Sequence, residues 1–339
     1  MPPLLEVDDL HMHFFTRDGV VKAVDGVSFS LEPHETLGVV GESGSGKSVT
    51  ALSIMRLIPE PPGKVVSGDI RFRGESILKM SDKEQRKLRG DRIAMIFQDP
   101  MTSLNPVYRI GKQIGEPLRH HKGASKKEAW DAAVELLDHV GIPRAKERAK
   151  DYPHEFSGGM RQRAMIAMAL ACGPDILIAD EPTTALDVTI QAQILELMQE
   201  IQTRTDSAII MITHDLGVVA DIADHVLVMY AGRPVEYGTA EDVFYRPLHP
   251  YTWGLLESLP RHDVDDKGKL CPIKGQPPSL INLPVGCSFS PRCAYAGPDC
   301  FGGGTGRLTE VERGHFSSCH FSADRQFLNQ CPRYAVGVK

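Results

Sequence analysis

Apolar positions along the chain change period several times, and each change predicts an element. Over residues 4–33, alternating runs on either side of Asp18-Gly19 predict strands joined by a turn at that dipeptide. Thr36–Val40 is a short apolar run suited to a buried strand. A glycine-rich segment follows at once, and a helix from about Lys47. From 81 to 172 the spacing becomes helical, apart from a strand at Ile93–Phe97. Ser81-x-x-Glu84 and Ser125-x-x-Glu128 have the form of capping boxes. After the second box, Trp130, Ala133, Val134, Leu137 and Val140 fall on one helical face, and Gly141 is its stop.

Asp175–Asp180 and Ala208–Thr213 read as strands flanking a helix at about 188–203, with a further strand at His225–Ala231. Strands alternating with helices imply an α/β core with a largely parallel sheet, into which the helical block is inserted. Beyond about 250 the periodicity fades into Pro, Gly and Cys, and the tail reads as a separate, irregular region. There is no internal repeat and no low-complexity tract.

At 339 residues the chain can bury a core without disulfide help. A net charge of −6 argues against a protein built mainly to grip nucleic acid. Basic stretches such as Lys83–Arg89 include acids and read as solvated helix faces. No apolar run reaches the roughly 20 residues of a membrane span; the nearest, Met160–Cys172, is interrupted by Arg161 and Arg163. The first residues, MPPLLEVDDL, lack the basic and apolar regions of a secretory signal, so a cytosolic chain is expected.

Three segments carry chemistry. Gly41-Glu-Ser43-Gly44-Ser45-Gly46-Lys47-Ser48 matches the phosphate-loop pattern in full, between a strand and a helix. Its glycines let backbone N–H groups turn towards phosphate oxygens. Lys47 is placed for the β- and γ-phosphates, and the Ser48 hydroxyl for Mg²⁺. Ile176-Leu-Ile-Ala-Asp180-Glu181 is a hydrophobic strand ending in two carboxylates. Asp180 is placed to hold Mg²⁺ through water, and Glu181 to orient or deprotonate an attacking water. Phe156-Ser157-Gly158-Gly159-Met160 opens a predicted helix, which again offers N–H donors to an anion.

With that third segment the chain resembles the ABC ATPases, whose signature is usually written LSGGQ. Here Phe156 stands for Leu and Met160 for Gln, so Met160 is left out of the site. The resemblance implies that Ser157, Gly158 and Gly159 complete a phosphate wall on a partner subunit. It assigns Gln98, in Phe-Gln-Asp-Pro, to Mg²⁺ and water; Asp187, in Ala185-Leu-Asp187, to the D-loop; and His214, after a strand, to the γ-phosphate switch. Phe14 is the chosen adenine-stacking ring, with Phe15 the close alternative.

The nearer resemblance is to ATPase subunits of oligopeptide/dipeptide importers, carried by Phe97-Gln-Asp-Pro-Met-Thr-Ser-Leu-Asn-Pro106, Tyr152-Pro-His-Glu-Phe-Ser-Gly-Gly159, His249-Pro-Tyr-Thr252 and the cysteine-bearing tail. It implies a RecA-like P-loop ABC core with a mixed or parallel sheet, an antiparallel β subdomain and an inserted helical subdomain at about 98–165. The nucleotide-binding domain would take residues 1–250, and the importer-type cysteine region 251–339. It also implies ATP and Mg²⁺, a second ATPase subunit (a paralogue favoured), two transmembrane permease subunits and an extracytoplasmic solute-binding protein. The chain would sit peripherally on the cytoplasmic side of the membrane and touch no nucleic acid. The rival is a soluble ABC ATPase acting on DNA or ribosomes, but neither a second cassette nor a long coiled coil is visible.

Six of the seven cysteines crowd the last 70 residues or so. In a reducing compartment, such crowding points to a metal more than to disulfides. The gaps of five, six and eighteen residues between Cys287, Cys293, Cys300 and Cys319 match neither a zinc ribbon nor a bacterial ferredoxin. A [4Fe–4S] cluster on these four comes from the importer resemblance, with Zn²⁺ and unligated cysteines as alternatives. Cys271 and Cys331 are left unligated.

Overall fold

The alternating run at the start of the chain folds as a hairpin, and the rest of the architecture is built beside it. A computed structural model describes residues 2–184, 187–205, 207–259, 272–302 and 307–331. From the N-terminus, β1 (Leu5–Thr16) and β2 (Gly19–Leu31) precede β3 (Thr36–Val40), α1 (Lys47–Ile54), β4 (Gly63–Phe72) and β5 (Glu75–Ser76). Next come α2 (Asp82–Leu88), β6 (Ile93–Ile96), α3 (Pro100–Ser103), α4 (Ile110–His121), α5 (Lys126–His139), α6 (Ala145–Arg148) and α7 (Gly158–Leu170). After these run β7 (Ile176–Asp180), α8 (Val188–Thr205), β8 (Ala208–Thr213), α9 (Leu216–Ile222), β9 (His225–Tyr230) and β10 (Arg233–Thr239). The last elements are α10 (Ala240–Tyr245), α11 (Pro250–Glu257), β11 (Thr309–Glu312), β12 (His315–Ser317) and α12 (Arg325–Leu328).

The chain divides into two compact units. The first gathers the described residues of 1–31, 36–78 and 213–339. It holds an antiparallel sheet in the order β2-β1-β4-β5 and a run of strands in the order β11-β12-β10-β9-β3. β3 and β9 are parallel, whereas β9, β10, β12 and β11 alternate in direction. Every residue of β3 is buried, which explains its unbroken apolar composition. Val40, Val226, Val228, Tyr230, Tyr251 and Phe289 share one apolar cluster, and a buried side chain of this size contributes about 1.5–3 kcal/mol. Phe289 lies 5.2 Å from the Tyr230 ring and 5.3 Å from that of Tyr251, so the tail helps to close this core.

The tail is irregular over most of its described length, yet it also adds β12 to the edge of β10 through Glu236↔Ser317 and Tyr237↔Phe316. Three residues are too few to print a periodicity. Glu236 is fully buried where they meet. It accepts hydrogen bonds from the Leu248 and His249 N–H groups (2.7 and 3.0 Å) and from the Thr252 hydroxyl (2.6 Å). His315 Nε2 lies 2.9 Å from the same carboxylate.

The second unit gathers the described residues of 32–35 and 79–212. Its parallel strands run in the order β8-β7-β6. Both expected capping boxes are present, at Ser81/Glu84 and Ser125/Glu128. α5 ends as expected before Gly141, whose φ of 74° is the left-handed stop a glycine allows. Ala133, Leu137 and Val140 of the expected face are buried, while Trp130 and Val134 are half-buried.

Candidate functional site

In the first unit, β3 delivers the chain into the loop 41–48, and the backbone explains why glycines stand at its ends. Gly41 has φ 150°, and a Cβ there would lie 2.2 Å from the Met229 carbonyl oxygen. Gly46 has φ 102°, and its Cβ would lie 2.4 Å from the Ala23 carbonyl oxygen. Gly44 faces open space and, with Ser43, is exposed.

The loop ends as the N-cap of α1, with Gly46 left-handed and no side-chain cap on the helix. Its first N–H groups therefore keep the positive end of the helix open to an anion. Ser45 Oγ is buried without a hydrogen-bond partner, and Ser48 is half-buried one residue into the helix. Lys47 is buried, and its ammonium donates to the carbonyl oxygens of Gly41 (2.7 Å) and Glu42 (3.0 Å). An unpartnered hydroxyl, an uncapped helix end and an ammonium held on the loop's own backbone form a set of donors suited to a polyphosphate.

Two further sequence-predicted residues lie in this unit. Phe14 is half-buried on β1, opposite Val21 of β2 and Gly63 of β4, while Phe15 beside it is 50% exposed. His214 is exposed immediately after β8.

In the second unit, Asp180 ends β7 and is buried. Glu181 follows at φ 47°, unusual for a residue with a Cβ. Its N–H donates to the Ile212 carbonyl at 2.8 Å, continuing the ladder between β7 and β8. Its carboxylate Oε2 accepts from Gln98 Nε2 (3.0 Å) and the Thr184 hydroxyl (2.9 Å). Thus Gln98, beyond the end of β6, and Glu181, beyond the end of β7, are in direct contact, which the sequence reading did not anticipate.

Ser157 is exposed and caps α7, accepting a hydrogen bond from the Met160 N–H at 3.3 Å. Gly158 is exposed, and a Cβ on it would touch nothing within 4 Å; Gly159 packs on Ile190. Phe156 is buried in the position usually taken by Leu. Asp187 is exposed and accepts from the Ile190 N–H at 2.9 Å. Ala185 and Leu186 of the D-loop lie outside the described residues, as does Cys271.

Cys287, Cys293, Cys300 and Cys319 line one small cavity in the first unit, with His249, Phe289 and Phe327 among its walls. All four carry free thiols. Burial pushes the Cys319 thiol up to about 12 and that of Cys293 to about 11, and Cys287 is raised for the same reason. Four thiols round one cavity, three of them half-buried and Cys300 buried, are a donor set that fits a metal group. Among the described residues, His11, His13 and Asp25 form the one group of three whose ligand atoms come within 4.8 Å of one another. Cys331 lies away from this cavity, in a hollow lined by Phe244, Arg246 and Arg325.

The group of His11, His13 and Asp25 is already engaged internally. Asp25 accepts from Arg233 (2.8 and 2.7 Å) on one oxygen, and its other oxygen lies 3.0 Å from His11 Nδ1.

Sequence reasoning missed Thr184, which steadies Glu181 from three residues downstream, and it missed what holds Glu42. The Glu42 N–H donates to Tyr251 Oη at 2.8 Å, and its carboxylate pairs with Arg292. The Thr184 contact is local, but nothing along the chain announces a partner 250 positions away.

A model of the ABC transporter family matches residues 24–184, and one described as the oligopeptide/dipeptide transporter, C-terminal region, matches residues 235–300. The chain is 58% identical over 293 residues to the oligopeptide transport ATP-binding protein OppD of Bacillus subtilis (strain 168), covering 86% of this chain and 82% of that one. It is 53% identical over 325 residues to the OppD protein of Haemophilus influenzae, covering 96% and 99%. Among solved structures, it is similar to the ATP-binding cassette MJ0796, a dimer in a post-hydrolysis state bound to ADP and phosphate. There the TM-score is 0.63 at 26% identity, covering 70% of this chain and 98% of that one. Among the described residues, no helix is long and apolar enough to cross a membrane.

Proposed function

Because this chain belongs to the ATP-binding subunits of ABC transporters of the oligopeptide/dipeptide type, we propose that it hydrolyses ATP to drive the import of di- or oligopeptides, or a related small solute, through the cytoplasmic membrane. Phe14 stacks on the adenine. The N–H groups of Gly41, Ser43, Gly44, Ser45 and Gly46 cradle the phosphates, and Lys47 leaves the Gly41 and Glu42 carbonyls to meet the β- and γ-phosphates. Ser48 and Gln98 would hold Mg²⁺, with Asp180 reaching it through water, and that ion neutralises charge on the phosphates. Glu181 orients the attacking water and takes its proton, and His214 contacts the γ-phosphate.

Ser157, Gly158 and Gly159 serve the nucleotide of a facing ATPase subunit, with Asp187 at the same junction. The exposure of Ser157 and Gly158 supports this reading. The facing subunit is a paralogue, and two permease subunits dock on the helical block between Gln98 and Tyr152. A solute-binding protein delivers cargo from outside, and the ATPase works on the cytoplasmic side. Residues 1–250 serve as the nucleotide-binding domain, and 251–339 as the importer-type region. There Cys287, Cys293, Cys300 and Cys319 hold a [4Fe–4S] cluster that staples a segment with little apolar core of its own.

The observation that carries the catalytic assignment is the Glu181 carboxylate, held by Gln98 and Thr184 directly after Asp180. Glu181→Gln should leave ATP binding intact and lower turnover of the assembled transporter by about 10²–10⁴. Steady-state ATPase rates within about threefold of wild type would remove Glu181 from this role.

A further inference from the structure

Glu42 is the second residue of the phosphate loop, and a carboxylate there should repel a polyphosphate. Its charge is instead met by Arg292. One guanidinium nitrogen donates to Glu42 Oε2 at 2.6 Å and a second to Oε1 at 3.0 Å, the two-pronged geometry that arginine forms with carboxylates. The rest of the group is equally committed, with Nε donating to the Lys274 carbonyl (3.0 Å), Nη2 to that of Ile273 (3.3 Å) and Nη1 to Tyr230 Oη (3.3 Å). The Arg292 side chain is only 4% exposed.

The same loop residue is gripped at its backbone. The Glu42 N–H donates to Tyr251 Oη, and the Glu42 carbonyl accepts from Lys47. A continuous chain of contacts therefore runs from Arg292 through Glu42 to the lysine of the phosphate loop. Arg292 itself sits in the turn between Cys287 and Cys293, closed by its N–H donating to the Phe289 carbonyl at 2.9 Å. The thiols of that turn line the cysteine cavity, while its arginine reaches the phosphate loop.

We propose that Arg292 is a positioning residue for ATP: through Glu42 it cancels a repulsive charge and fixes the start of the phosphate loop, so that nucleotide affinity depends on the folded cysteine-bearing turn. The inference rests on the reading of residues 41–48 as the ATP phosphate loop. Arg292→Gln leaves Glu42 uncompensated beside the phosphates, whereas Glu42→Gln removes the repulsive charge itself.

The test is a comparison of full-length variants, reading equilibrium binding of a fluorescent ATP analogue together with KM and kcat in the assembled transporter. Arg292→Gln should weaken binding and raise KM about tenfold, the penalty of a loop only fractionally competent, with kcat within about threefold. Arg292→Lys should fall between, because an ammonium cannot bridge both oxygens. The double variant Glu42→Gln/Arg292→Gln should bind ATP better than Arg292→Gln alone, a relief that a purely structural arginine would not produce. Arg292→Gln binding within twofold of wild type overturns the proposal, and so does a double variant as weak as Arg292→Gln. Lys47→Ala separates the two readings. If it binds ATP normally, the phosphate-loop assignment falls; if it loses ATP while Arg292→Gln does not, only the role of Arg292 falls.

Discussion

Glu181 carries an unusual backbone conformation that its neighbours hold in place. Its φ of 47° costs about 1–3 kcal/mol in a residue with a Cβ, and the surroundings hold it there with a backbone bond to Ile212 and two side-chain donors on one carboxylate oxygen. Asp25 is the opposite case, an acid whose contacts are all structural. Burial raises its pKa, but Arg233, by hydrogen bond and charge, and His11 outweigh this and hold the carboxyl below its usual value. An acid depressed in the folded state contributes stability that is present above its unfolded pKa of about 3.9 and is lost as pH falls through the lower folded value. Asp25→Asn should therefore cost about 2 kcal/mol at pH 7, the worth of hydrogen bonds to a charged group. The gap between variant and wild type should narrow as acid unfolding approaches pH 3. Urea titrations at pH 7 and pH 4 check both statements, and a gap that widens in acid would refute the assignment.

At the scale of elements, what was legible in the sequence had its cause within a few residues. β3 and β8 end where their apolar runs end, and the two capping boxes form because serine and glutamate three apart satisfy each other's helix end. The glycine-rich segment 41–48 runs from β3 into α1, and Gln98 and Glu181 follow β6 and β7, as their local patterns indicated. β4 was missed because its pairing partner β1 lies some sixty residues earlier, and its run, Gly63–Phe72, is half exposed and interrupted by Gly68. The seating of the tail was missed because it depends on Glu236, an acid on β10 that satisfies two N–H groups at the start of α11, the Thr252 hydroxyl and His315 of β12. Nothing near Glu236 along the chain distinguishes it from a surface acid. Glu236→Ala would leave those buried donors without an acceptor, at a cost of about 3–5 kcal/mol. Protease should then cut within residues 250–331 before the loss of phosphate-loop function. A variant as stable as wild type, with the same digestion pattern, would show that the tail is seated by its apolar contacts alone.

For the molecule as a whole, the cysteine cavity decides whether the tail is an apolar plug or a metal-organised module. Its four thiols come from 33 residues of chain, and burial raises the Cys293 and Cys319 thiols still further above neutral pH, so a metal would have to displace their protons. A bound metal group would release those protons and add its binding energy to folding. The four thiols line one cavity, and on the proposed reading a [4Fe–4S] cluster fills it. Anaerobically purified protein should be brown, with broad absorbance near ~400 nm and iron matched by acid-labile sulfide. Cys319→Ser should lose colour and iron together, and Cys331→Ser should keep both because Cys331 lies in a different hollow. A structural role also predicts that air oxidation, by removing the cluster, makes the tail protease-sensitive before ATP binding is lost altogether. A colourless anaerobic preparation carrying one zinc per chain would replace the cluster with a single ion, and the assignments of Lys47, Asp180 and Glu181 would stand unchanged.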